Sequence, residues 1–284
     1  MIMMVVFFIK VRLGQMPLNK RQMFFPFTTP DPLAGAYYNI SPYAYSANNP
    51  INAIDKEGKL VIFINGNHFG DGGKEDYWKD SNHNFASSFI SHFNDMNTKY
   101  SNGKYYDGSM GGFAFSSSDN RFNVSVRMQE GYNQGYWDAA DLIKSLARTG
   151  GVITEGLFVC THSMGAAYAK GFVMALKRYA EENPEECRGL RISQYDFASF
   201  QQNQLFAVPG ISTFQYDNEN EKVVGGIVGF YQGSKHAKQR GLDDKNYNRN
   251  VNPNGGHSIL DFWDEIINLP EGRYRYENGE WVRY

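Results

Sequence analysis

From Lys59 onward, short apolar runs alternate with segments whose apolar residues recur every three to four positions. That alternation predicts an α/β fold, a mostly parallel sheet with helices on both faces. Leu60 to Ile64 reads as a buried strand that ends in the loop Asn65-Gly66-Asn67-His68. Phe85, Phe89, Phe93 and Met96 then recur at helical spacing. Residues 101–135 are rich in Gly, Ser and Asn with isolated aromatics such as Phe113 and Phe115, so one strand is expected near Lys104 to Asp107 and the remainder reads as an insertion. Trp137, Ala140, Lys144, Leu146 and Ala147 suggest the next helix. Gly156 to Cys160 is an apolar run bounded by turn signals, and it predicts a central strand. Ala169, Phe172, Val173, Leu176 and Ala180 trace one stripe of a helix that stops before Pro184. Leu190 to Tyr195 and Ile211 to Tyr216 are two further strands, each followed by acidic residues. A last helix, Ser258 to Leu269, places Ile259, Phe262, Trp263, Ile266 and Leu269 on one side, and Asn278-Gly279 between two alternating runs signals a small closing β-hairpin.

The pattern changes before Lys59. Met1 to Ile9 is apolar, but nine residues fall short of the roughly 20 needed to span a bilayer. The basic residues Lys10, Arg12, Lys20 and Arg21 follow the run instead of preceding it as a secretion signal requires. It reads as a stray start or a buried strand. Residues 26–58 carry five prolines and no helical or alternating period, so they cannot form a core of their own. The expected organisation is therefore an extended tail, 1–58, and an α/β domain, 59–284.

Composition narrows the function. Hydrophobic residues at 42% and aromatics at 15% are those of a globular chain. With 28 Lys and Arg against 30 Asp and Glu, and no basic block, nothing here would follow a phosphate backbone, and nucleic acid is not an expected partner. Cys160 and Cys187 are too few for a disulfide framework and lack zinc-site spacing. His68, Asp71, Asp76 and His83 match neither H-E-x-x-H nor a calcium loop, so neither a metal nor another cofactor is expected.

The chemistry concentrates in Leu157-Phe158-Val159-Cys160-Thr161-His162-Ser163-Met164-Gly165-Ala166-Ala167. Strand, tight turn and helix in that order form a nucleophile elbow, where small residues two before and two after the serine let strand and helix pass closely. Thr161 and Gly165 hold those places, with Thr161 departing from the usual G-x-S-x-G. The alternative is a Ser163 that only caps its helix. The stretch resembles the H-S-M-G elbow of α/β-hydrolase lipases and esterases. That resemblance implies a Ser, acid, His order along the chain, with Ser163 as nucleophile. Of the histidines after Ser163, His236 lies in a polar run, whereas His257 follows Gly255-Gly256 and precedes the last helix, where the fold carries its base; the alternative is a helix cap. For the acid three residues qualify: Glu221, in an acid-x-Val-Val turn like that of many such hydrolases; Asp217, at a strand end; and Asp196, on the preceding strand. The oxyanion hole is expected from the backbone N–H groups of Met164 and Asn67.

Residues 26–58, PFTTPDPLAGAYYNISPYAYSANNPINAIDKEG, resemble the end of the core region of Rhs/YD-repeat proteins, which precedes a variable C-terminal domain. In that family the junction is written P-x-x-x-x-D-P-x-G-L. Pro50, Asp55 and Gly58 hold their places, while Lys56 and Lys59 depart from it at the junction where self-cleavage occurs in the family. On this resemblance the chain is the tail of a longer, secreted or surface-exposed bacterial polymorphic protein, with an enclosing β-cage upstream. The two resemblances together imply a lipase- or esterase-like effector, acting on a small-molecule or lipid ester, with a lipid surface and a cognate immunity protein as partners. Residues 101–135 would serve as a lid over the acyl site. A non-catalytic adhesion or interaction module that keeps the scaffold is the alternative, and thioester or peptide hydrolysis would use the same triad.

Overall fold

The structure, a computed structural model, describes residues 60–93, 103–110, 123–218, 236–249 and 251–284. The chain divides at Lys56 and Glu57, and every described residue belongs to the later unit. The tail 1–58, Met96, Phe113, Phe115 and Glu221 lie outside the described residues.

Strand β1 (Leu60–Asn65) leads through a long loop with a 3-10 turn (Glu75–Trp78) to helix α1 (Phe85–Phe93). Strand β2 (Gly103–Asp107) precedes helix α2 (Val124–Ser145) and a minimal hairpin, β3 (Arg148–Thr149) and β4 (Val152–Ile153). Strand β5 (Gly156–His162) runs straight into helix α3 (Gly165–Glu182). Strands β6 (Arg191–Phe197), β7 (Ser212–Asp217) and β8 (Tyr247–Arg249) follow, then a 3-10 helix (Ile259–Asn268) and the hairpin β9 (Tyr274–Glu277) and β10 (Glu280–Arg283).

Six strands form one sheet in the order β2-β1-β5-β6-β7-β8, with every pairing parallel. The inner strands are apolar on both faces, which is why they read as continuous runs. On β1 and β5, Leu60, Ile62, Ile64, Leu157 and Val159 face Leu142 of α2 and Phe172 and Leu176 of α3. Val61, Phe63, Phe158 and Cys160 face Phe85, Phe89 and Phe93 of α1 and Phe262 of the 3-10 helix. Helical elements thus cover both faces.

From β1 the chain crosses to β2 on one side, whereas from β5 it moves outward to β6 on the other. In a parallel sheet such a reversal opens a crevice beyond the carboxyl ends of the two central strands, where ligands bind. The loops after β1 and β5 meet at that place.

Two expectations need correction. The insertion assigned within 101–135 is in part helical, since α2 begins at Val124 and runs unbroken for 22 residues. Its buried stripe is Arg127, Gly131, Gly135, Ala139 and Leu142, while Trp137 is 78% exposed. The glycines read as loop because their role is tertiary. A Cβ at Gly131 would overlap the Tyr168 carbonyl, one at Gly135 would stand 2.7 Å from that of Phe172, and one at Gly171 on α3 would overlap that of Met128. The last helix winds as 3-10 turns and begins one residue later, with the Ser258 hydroxyl accepting the Leu260 N–H (3.2 Å). The hairpin is as predicted, with Asn278 and Gly279 at φ 51° and 85°, the two positive angles of a type I′ turn.

Gly171→Ala is expected to destabilise the domain by about 1–3 kcal/mol, since the added methyl meets backbone that cannot yield without parting α2 from α3. A lowered denaturation midpoint at unchanged slope would show it.

Candidate functional site

Ser163 sits between β5 and α3 with φ 55°, a left-handed conformation that a non-glycine residue adopts only when its surroundings impose it. The surroundings are identifiable. Its N–H donates to the Phe197 carbonyl (3.0 Å), and its own carbonyl accepts the N–H groups of Phe200 (3.1 Å) and Ala166 (3.3 Å). A Cβ at Gly165 would overlap the Ile64 carbonyl and lie 2.7 Å from that of Asn65, so glycine is obligatory there. Thr161 takes the place of the usual first glycine, and its hydroxyl donates to Asp196 (2.7 Å).

Ser163 does not cap α3, whose N-cap is Met164 without a side-chain bond. Instead its Oγ lies 2.8 Å from Nε2 of His257. His257 does not cap the following helix either, because Ser258 does. The pair comes from residues 94 apart in sequence. Burial pushes the His257 imidazole down to about 4, while the charge of Asp261 draws it up. Near neutral pH the ring is therefore uncharged and can accept the serine proton.

The loop after β1 lies against the elbow. A Cβ at Gly66 would stand 2.5 Å from Ser163 Cβ and 3.0 Å from the Met164 nitrogen. The Gly66 N–H donates to Tyr77 Oη (3.3 Å). The loop is clasped from both ends. Asn65 Oδ1 accepts the Gly73 N–H (2.7 Å), and His68 Nδ1 accepts those of Gly70 (2.9 Å) and Gly72 (3.0 Å). With Nδ1 accepting, His68 Nε2 carries the proton and donates to Asp107 Oδ2 (3.0 Å) at the end of β2.

Of the acids, Glu221 lies outside the described residues. Asp217, fully buried at the end of β7, accepts from Gln202 Nε2 (2.6 Å) and Gln215 Nε2 (2.8 Å). Asp196 forms a buried ion pair with Lys170 (2.8 Å) and also accepts from Thr161, Gln194 (2.7 Å) and Gln239 (2.8 Å). Burial pushes the Lys170 amine down, and Asp196 holds it up. Sequence reasoning missed Asp261, four residues beyond His257, whose Oδ2 accepts the Gly256 N–H (2.9 Å). Its position in the first turn of the 3-10 helix was the available signal, but the Ser, acid, His order directs attention upstream.

His162 also escaped notice as a functional group. It is buried directly before Ser163, bonded through Nδ1 to the Tyr77 hydroxyl and through Nε2 to the His257 carbonyl (2.6 Å). Burial pushes its imidazole well below the ordinary histidine value.

Of the residues weighed as a metal set, only His68 and Asp71 approach each other (3.6 Å). His68 pairs with Asp107, Asp76 with Lys79 (2.8 Å), and His83 with Asp80 (3.5 Å). Among the described residues no three His, Cys, Asp or Glu side chains are grouped to hold a metal ion. Cys160 and Cys187 are free and buried, and burial pushes both thiols up, to about 12 at Cys187.

The chain matches no protein-family model, no curated protein and no solved structure. What the site can do is therefore argued from its own geometry. A serine hydroxyl on a strained turn faces a neutral imidazole, beside a glycine loop and the first turn of a helix, and that arrangement can transfer an acyl group.

Lys170→Met would leave the Asp196 carboxylate buried without its counter-charge. The expected loss is about 3–5 kcal/mol of stability, read by chemical denaturation at neutral pH.

Proposed function

We propose that residues 59–284 form a serine hydrolase of the α/β-hydrolase type, cleaving carboxylic esters in the manner of a lipase or esterase. The observation that carries this is the 2.8 Å contact between Ser163 Oγ and His257 Nε2 at a left-handed elbow. The serine attacks the ester carbonyl as its proton passes to His257. The oxyanion is met by the N–H groups of Met164 and Asn67, and His257 then protonates the leaving alkoxide. A water activated by the same imidazole releases the acyl group from Ser163. The orienting carboxylate is Glu221 or Asp217, and Asp261 adds negative charge to the base. The Rhs-like tail supports the further reading that this domain is the C-terminal effector of a polymorphic bacterial protein, with a lipid ester as substrate and an immunity protein as partner.

Labelling by a fluorophosphonate probe is the direct test. The wild type is expected to label, and Ser163→Ala to lose labelling and ester hydrolysis while keeping its fold. His257→Ala should fall by at least about 10³-fold. A chelator should change nothing. A folded wild-type protein that resists the probe would sink the mechanism and leave the interaction module as the better reading.

The pH dependence follows from the base. Protonated His257 cannot accept the serine proton, so kcat/KM is expected to hold from neutral pH to about 5 and to fall as pH drops through about 4. An acid limb near the ordinary histidine value of about 6.5 would show that the imidazole is not desolvated as described.

A further inference from the structure

The residue before the nucleophile makes two bonds whose direction is forced. His162 Nε2 lies 2.6 Å from the backbone carbonyl of His257, which can only accept, so Nε2 carries a proton. The ring is fully enclosed and uncharged, which leaves Nδ1 as an acceptor, and the Tyr77 hydroxyl donates to it. Burial keeps that phenol protonated, and its oxygen accepts the Gly66 N–H (3.3 Å). One polar chain therefore runs in a single sense, from Gly66 N–H through Tyr77 and His162 to the His257 carbonyl. The rings support it, with His162 centred 5.6 Å from Tyr77 and 4.8 Å from His257.

Each link belongs to a different part of the site. Gly66 lies in the loop against the elbow, Tyr77 in the 3-10 turn beyond it, His162 at the end of β5, and His257 in the segment that brings the base. The two residues before His257 are held from other sides, Gly255 by the Asn252 carbonyl (3.0 Å) and Gly256 by Asp261 (2.9 Å) and Asn218 (3.2 Å), and the His257 carbonyl is held by His162. We infer that His162 and Tyr77 are positioning residues, which hold the His257 loop by its backbone carbonyl and so set the distance between base and nucleophile. This rests on the hydrolase reading for its catalytic meaning, but the clasp itself is a statement about where the imidazole sits. Among the described residues, the groups brought to the base include the Ser163 hydroxyl, His162 with Tyr77 behind it, and Asp261 from the 3-10 helix.

Tyr77→Phe removes the donor that fixes the tautomer and orientation of the His162 ring, and so loosens the Nε2–H bond to the His257 carbonyl. His162→Leu removes both bonds. His162→Gln is the conservative rescue, since its amide can donate to the carbonyl and accept from Tyr77. In Tyr77→Phe and His162→Leu, kcat for a soluble ester is expected to fall about 10- to 100-fold with KM within about twofold. The acid limb and the NMR titration of the His257 ring should both move up from about 4 toward the ordinary value as the loop opens to water. His162→Gln should stay within about threefold of wild type. A structural role alone would lower activity only with the folded fraction, leaving limb and titration in place, and that result overturns the inference. Tyr77→Phe carries the test should His162→Leu fail to fold. If the wild type neither hydrolyses esters nor takes the fluorophosphonate, an upward titration of His257 in Tyr77→Phe still upholds the clasp while the hydrolase reading falls. An unmoved titration overturns the clasp.

Discussion

Gly165 is pressed against the carbonyls of Ile64 and Asn65, close enough that no side chain could stand there, and this contact between α3 and the end of β1 governs the rest of the site. It brings the first turn of α3 directly over the central strands, which forces Ser163 into its left-handed angle and lifts the hydroxyl above the sheet. It also brings the loop after β1 against the elbow, where Gly66 meets Ser163 and the Met164 nitrogen. The strain at one residue, of order 1–3 kcal/mol, is thus maintained by packing on all sides of it. Three hydrogen bonds to the Ser163 backbone, from and to Phe197, Phe200 and Ala166, hold the turn once it is made.

The two faces of the sheet carry different chemistry at their carboxyl ends. On the side of α3, Thr161, Lys170, Gln194, Gln215 and Gln239 surround Asp196 and Asp217 in a buried polar layer in which each carboxylate receives several donors. Such a layer is costly unless its members are satisfied, and it fixes the mutual position of β5, β6 and β7 beneath the elbow. On the side of α1, Tyr77, His162 and His257 form a second polar chain, with the Tyr77 ring packed edge-on against Trp78. Ser163 stands where the two layers meet.

Most of the sheet was legible because its inner strands are buried on both faces, so Leu60 to Ile64 and Gly156 to Cys160 appear as unbroken apolar runs. The stripe of α3 and the Asn278-Gly279 turn were equally plain. Helix α2 was obscured because Gly131 and Gly135 serve a helix-to-helix contact and carry no local helical signal. The short strand β8 has no apolar run to announce it, since it pairs at the sheet edge through Tyr247, Asn248 and Arg249. At the site, Ser163 and His257 could be read because each sits beside glycines in a recognisable order. His162 and Tyr77 could not, since they are 85 residues apart and a histidine at a strand end looks like any enclosed ring. Asp261 was hidden by a rule of chain order that spatial proximity does not obey.

The 94 residues between Ser163 and His257 also have a meaning in time. The chain is made from its N-terminus, so the elbow, with β1, β5 and α3, emerges well before the segment that carries His257. Until the segment that carries His257 reaches the elbow, the Ser163 hydroxyl lacks the imidazole that stands 2.8 Å from it in the folded chain. Long-range closure of this kind is also the slow part of folding. The order of the elements therefore acts as a built-in delay, in which the contact between Ser163 and His257 is completed only with the finished fold.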